Sequence, residues 1–195
     1  MYKNLFRQLI FLLSAPAQAW RDLTEREEKK DDYLTQFVYP LIGLVAASAF
    51  VGVFFAERDF QFEHAIKAAI KAIFSSFGGY FLAAYLLNEL RKRIFKQQDN
   101  LLLCRRFTGY ASAGLFALHI LFALLPIIPL FDFLFLRIFI LFLATLYIAW
   151  EGVMPYLQTV EHHRLKLSVA ASLLIVLTPE IINRILFILM PGLRS

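Results

Sequence analysis

Long uncharged apolar runs alternate with short charged stretches along this chain, and the runs reach the length of about 20 residues that crosses a hydrocarbon core as a helix. Leu34 to Ala56 carries no charge, with Tyr33, Phe37 and Tyr39 at its entry and Pro40 in its first turns, where a proline is tolerated. Further runs cover 72–88, 107–128, 133–150 and 167–190. The pattern predicts an all-α integral membrane bundle of about five transmembrane helices, occupying 34–195, with spans near 34–56, 72–88, 107–128, 133–150 and 167–190. Pro126 and Pro129 end the third run, and a tight turn through Asp132 leads into the fourth.

Residues 1–33 read differently. Lys3, Arg7, Ser14, Gln18 and Arg21 recur at helical spacing opposite Leu5, Phe6, Leu9, Ile10, Leu13 and Trp20, which predicts an amphipathic, cytoplasmic or interfacial segment. Two placements fit this pattern: a helix lying at the membrane surface with Trp20 at headgroup depth, or a helix docked on the bundle. Ala17-Gln18-Ala19 has the look of a signal cleavage site, but the preceding apolar stretch from Leu9 to Leu13 is short and is interrupted by Ser14 and Pro16. The segment is therefore expected to remain. Thr24 with Glu27 has capping-box spacing and opens a charged stretch to Asp32.

Composition agrees with the membrane assignment. Of 195 residues, 59% are apolar and 18% charged, and the mean hydropathy of +0.62 exceeds what a soluble core requires. The net charge of +5 does not imply nucleic acid, because the basic residues cluster at the ends of apolar runs, where anionic headgroups lie. With five spans, the N-terminal segment and the second and fourth loops hold fourteen Lys and Arg. The opposite face holds five, namely Arg58, Lys67, Lys71, Arg137 and Arg194. This asymmetry predicts a cytoplasmic N-terminus and a C-terminus outside. Arg7, Trp20, Lys67, Lys71, Arg91, Lys92 and Arg93 are the expected membrane-surface contacts.

Polar groups inside the runs are the candidates for chemistry. Glu180, Asn183 and Arg184 follow Thr178-Pro179 in an otherwise apolar helix, and ionisable groups at such depth face the bundle interior or water. The spacing of four lets Glu180 and Arg184 pair, which makes either a structural ion pair or part of a proton or solute path. His119, in the third run, either protonates or hydrogen-bonds to a neighbouring helix. Glu161-His162-His163 lacks the spacing that puts two metal ligands on one helical face, so no metal is expected. Small residues four or five apart, such as Gly109 with Ala113 and Gly114, point to close helix packing and to a homo-oligomer as one option. There is no phosphate-binding loop, nucleophile elbow or Cys-ligated cluster, so no enzyme and no cofactor are expected.

Leu12-Leu13-Ser14-Ala15-Pro16 followed by Trp20, then a charged linker, Tyr39-Pro40-Leu41 and Gly109-Tyr110-Ala111-Ser112, resembles the Yip family of multi-pass membrane proteins. The resemblance implies a five-span domain with a cytoplasmic N-terminus, here in a bacterial inner membrane. Eukaryotic members are linked to Rab GTPases and vesicle traffic. The chain has about thirty residues before its first span and lacks the Asp-Leu-Tyr-Gly-Pro motif of those members, so Rab binding does not carry over. The expected function is a non-enzymatic protein that binds membrane lipids or partner membrane proteins and organises the membrane. The alternative is a small transporter or channel using Glu180 and Arg184.

Overall fold

The computed structural model describes residues 2–25, 33–56, 61–125 and 134–189, all helix and connecting turns with no strand among them. The helices are α1 (Tyr2–Ser14), α2 (Pro16–Glu25), α3 (Tyr39–Ala56), α4 (Phe62–Arg93), α5 (Leu101–Ala111), α6 (Ala113–Leu124), α7 (Leu134–Val153) and α8 (Glu161–Leu189). Glu27 of the capping box, the prolines 126 and 129, Asp132 and Arg194 lie outside the described residues. Among those described, five helical stretches are long and apolar enough to cross a membrane: Leu34–Phe55, Phe62–Arg93, Leu101–Leu124, Phe135–Val153 and Glu161–Leu189.

Local irregularities follow from single residues. Pro40 has no N–H to give to the carbonyl four residues back, and its ring would crowd that carbonyl. The turn Leu34–Val38 widens to a π-helix, in which the Tyr39 N–H reaches Leu34 O, and α3 continues from it without a break. In the third span, Ser112 interrupts the helix for one residue, its hydroxyl donating to Thr108 O at 2.7 Å. The helix of the second span, α4, with 32 residues, is roughly 48 Å long at 1.5 Å per residue, well beyond a core of about 30 Å. The Glu63–Lys67 ion pair at 2.7 Å occupies its overhanging first turns, so the stretch that precedes the apolar run is continuous with the span.

The five spans close into a ring in which α3 packs on α4 and α6, α4 on α8, α8 on α7, and α7 on α6. Side chains fill this ring unevenly. Buried apolar residues concentrate in the half near the 94–100 and 154–160 turns, where Leu41, Tyr80, Leu87, Phe107, Tyr110, Phe116, Ile148 and Ala171 meet. The most extensive packing joins α4 and α8, whose backbones approach closely. A Cβ on Gly79 would stand 2.6–2.7 Å from Pro179, and Thr178 Oγ1 donates to Gly79 O at 2.8 Å. With lipid tails as apolar as the side chains, this backbone approach and its buried hydrogen bond hold the helices together.

The N-terminal segment is docked. Trp20 is fully buried at 0% exposure, donates its indole N–H to Ile148 O at 2.8 Å, stacks on Phe107 and contacts Tyr110 and Tyr156. Gly152 makes room for it, since any Cβ there would collide with the indole. Trp20 is therefore not the headgroup-depth ring that its type and position predict. The cluster of rings gains more by excluding all solvent, and Ile148 O supplies the one polar partner the indole needs. On α1, Leu5, Leu9 and Leu12 are buried against the bundle, whereas Phe6, Ile10 and Leu13 are 47%, 61% and 38% exposed.

Trp20→Ala removes this cluster's centre and is expected to cost about 3–5 kcal/mol. Trp20→Phe keeps much of the ring and loses only the indole hydrogen bond to Ile148 O, at about 0.5–1.5 kcal/mol. Chemical denaturation in detergent micelles, followed by circular dichroism, checks both the sizes and their order.

Candidate functional site

The half of the ring away from the packed core holds a half-open cavity of about 380 Å³, lined from α3, α4, α6, α7 and α8. Four helices contribute its polar lining: Lys71, Ser75 and Ser76 from α4, His119 from α6, Arg137 from α7, and Glu180 and Asn183 from α8. The cavity lies beyond the crossing at which α4 and α8 touch at Gly79 and Pro179, and Pro179 forms part of its wall. Toward the packed half it ends in a tight space lined by Ser76, Tyr80, Ser112, Phe116 and Pro179.

Three of the four residues expected to form an intramembrane polar site meet here: Glu180, Asn183 and His119. Arg184 does not join them. It is exposed on α8, and no ion pair links it to Glu180 among the described residues. Helical spacing permits that pair, but Glu180 turns toward the cavity while Arg184 turns outward. The lining also takes in Lys71, expected as a surface contact, and Arg137, counted from sequence only among the charges of the outer face. The signal for Arg137 was its place a few residues inside an apolar run, where a cation needs a partner or a polar space. Its guanidinium stands 5.9 Å from the centre of the Phe122 ring.

A second polar cluster ties the turns at the opposite end. Arg91 is only 5% exposed: its Nε donates to Gln97 Oε1 at 2.8 Å, one terminal nitrogen to Leu157 O at 3.1 Å and the other to Cys104 Sγ at 3.3 Å. It is thus a bracket between the 94–100 and 154–160 turns and not the surface contact its basic neighbourhood predicts. Asn88 donates to Asp99 Oδ1 at 2.8 Å and accepts from the Asn100 N–H, while Asn100 caps α5 by accepting from the Leu103 N–H. Lys92 and Arg93 remain exposed and pair with Asp99 at 3.0 Å and Glu89 at 2.7 Å. Arg7 is exposed on α1 beside a cleft of about 570 Å³ that also includes Gln8, Asp22 and Gln36. Lys67 pairs with Glu63. His162 and His163 have ring centroids 3.6 Å apart, and no group of three metal-ligating side chains occurs among the described residues.

Both ends of the molecule are now defined: a ring of five spans with a two-helix N-terminal hairpin clamped through Trp20. A family model described as the Yip1 domain matches residues 10–179 of this chain. The chain belongs to the Yip1 domain family. No curated protein and no solved structure matches it. The Yip1 domain match begins in α1 and ends at Pro179, so it takes in the Trp20 clamp, the Arg91 bracket and the Gly79 crossing.

The Asn88 and Lys92 hydrogen bonds hold the Asp99 carboxyl below its ordinary range. A carboxyl with a lowered folded-state pKa stabilises above the unfolded value of about 3.9, and the contribution is lost as pH falls through the folded value. The protection of the amides of residues 94–100, taken as exchange relative to the intrinsic rate at each pH, is therefore expected to fall at pH below about 4. In Asp99→Asn this acid step should disappear, and exchange should already be faster at neutral pH.

Proposed function

We propose that this Yip1-domain protein is a non-enzymatic membrane organiser that acts by binding lipid with its N-terminal hairpin. The observation that carries the reading is the two-faced α1: Leu5, Leu9 and Leu12 fix it to the bundle, and Phe6, Ile10 and Leu13 remain uncovered. Burying a large apolar side chain fully stabilises by about 1.5–3 kcal/mol, so three half-exposed ones favour insertion among acyl chains by several kcal/mol. Lys3 and Arg7, exposed on the same helix, suit anionic headgroups. The hairpin packs at the end of α7 near Ile148 and Gly152, so it broadens the molecule at one end only. A helix held at that depth occupies one leaflet and widens it relative to the other.

The charge asymmetry supports placing that leaflet on the cytoplasmic side of a bacterial inner membrane, with the N-terminus inside and the C-terminus outside. Partner membrane proteins, or a second copy of the chain, would meet the lipid-facing sides of the ring. The polar cavity also offers a transport reading through Glu180. Its narrowing at Tyr80 and Phe116 favours a binding site over a path across the bilayer.

Reconstituted into liposomes containing anionic lipid, the wild type is expected to narrow or tubulate the vesicles, as seen by electron cryomicroscopy. The triple variant Phe6→Asp, Ile10→Asp, Leu13→Asp should leave vesicle shape as in protein-free controls while keeping the thermal stability of the fold. A wild type without effect on vesicle shape removes the proposal. Orientation is checked in a Cys104→Ser background: Gln61→Cys should react with an impermeant thiol reagent in intact spheroplasts, and Lys96→Cys only after lysis. The reverse pattern inverts the topology.

A further inference from the structure

We propose that the cavity among α3, α4, α6, α7 and α8 is a binding site for a monoanionic phosphate-class oxyanion, either free or as a lipid phosphodiester. The site is separate from the α1 wedge and does not depend on it. Its walls bring Lys71, Arg137 and Glu180 together with His119, Asn183 and Ser76. None of the three charged groups has an ion-pair partner within 4.0 Å among the described residues. Two nitrogens, Arg137 Nε and His119 Nε2, are buried without any hydrogen-bond partner there.

A buried polar group without a partner is costly and a charged one more so, which makes a cluster of this kind at membrane depth unfavourable unless something polar binds in it. The chemistry of the lining states what that is. Guanidinium, ammonium, amide and hydroxyl groups are donors, and they arrive from separate helices on several sides, which suits a tetrahedral oxyanion better than a planar carboxylate. Two fixed cations against one carboxylate leave a single net positive charge, counting the imidazole as neutral. One monoanion neutralises it, and Glu180 disfavours a dianion by repulsion. The volume of about 380 Å³ takes a phosphate or a phosphodiester headgroup but not a large solute. Tyr80 and Phe116 close the inner end, so a bound anion is retained and not conducted.

The test uses the full chain in dodecyl maltoside micelles, titrated by isothermal calorimetry with inorganic phosphate and, separately, with dioctanoyl phosphatidylglycerol; dioctanoylglycerol, which carries no phosphate, serves as the control. The wild type should bind a phosphate-class probe at one site, with Arg137→Gln weakening it at least about tenfold and Arg184→Gln, outside the cavity, changing it less than about twofold. Binding of phosphatidylglycerol alone supports the site with a lipid as the source, and binding of inorganic phosphate alone supports it with a free anion. If Arg137→Gln does not fold, Lys71→Gln and His119→Gln carry the same expectation. No binding of either anionic probe overturns the proposal. So does equal weakening by Arg184→Gln, or unchanged binding in the folded cavity variants. Vesicle reshaping plays no part in this readout, so failure here leaves the wedge reading standing, and failure of the wedge leaves this one.

Discussion

The crossing of α4 and α8 at Gly79 sets the shape of the whole bundle. Inside a bilayer the hydrophobic effect does not press helices together, so contact must come from close packing and from hydrogen bonds that have no better partner. Gly79 offers its bare backbone, Pro179 lies against it, and the Thr178 hydroxyl is shared between Gly79 O and Leu174 O, each at 2.8 Å. Pro179 itself forfeits one helical hydrogen bond. On one side of this point Tyr80, Phe116 and Ile175 interlock and the ring is solid. On the other, the same five helices surround polar space.

The N-terminal hairpin depends on the solid half. Trp20 enters only because Gly152 has no side chain, and Ile148 O is exposed to the indole at the end of α7. Once Trp20 is seated, α1 is held by Leu5, Leu9 and Leu12, and its remaining apolar ridge has no protein to cover it. A free amphipathic peptide would partition to the surface at whatever depth its own balance of residues dictates. This one is fixed to the bundle by a buried ring, and in the proposed lipid-binding role that attachment makes it a fixed wedge.

The spans were legible because each rests on a long uncharged run, a property of the sequence alone. Residue roles were less legible, and Trp20, Arg91 and Arg184 show why. A tryptophan near a helix end and an arginine beside two other basic residues carry the composition of a membrane surface, yet Trp20 fills a glycine notch and Arg91 binds the Leu157 carbonyl sixty-six residues away. Those partners belong to other helices, and spacing along one helix says nothing of them. Glu180 and Arg184 fail for the same reason: their spacing allows a pair, but the cavity beside α8 offers Glu180 a polar surrounding that Arg184 does not share. His119, Glu180 and Asn183 were found as isolated polar residues in apolar runs, and only the ring brings them together with Lys71 and Arg137.

The position of the charges argues for one-sided use of the interior. A conduction path needs polar lining along its length, and weak sites spaced so that an ion entering displaces the next. Here the charged lining stops at Glu180, and past it the axis is occupied by Tyr80 and Phe116, with the Tyr80 hydroxyl donating to Arg105 O at 3.1 Å. Opening that half would mean breaking the Gly79 crossing, the contact that holds α4 to α8. If an anion binds as proposed, the central joint is also the floor of its site, and releasing it inward would require giving up the packing on which the ring depends.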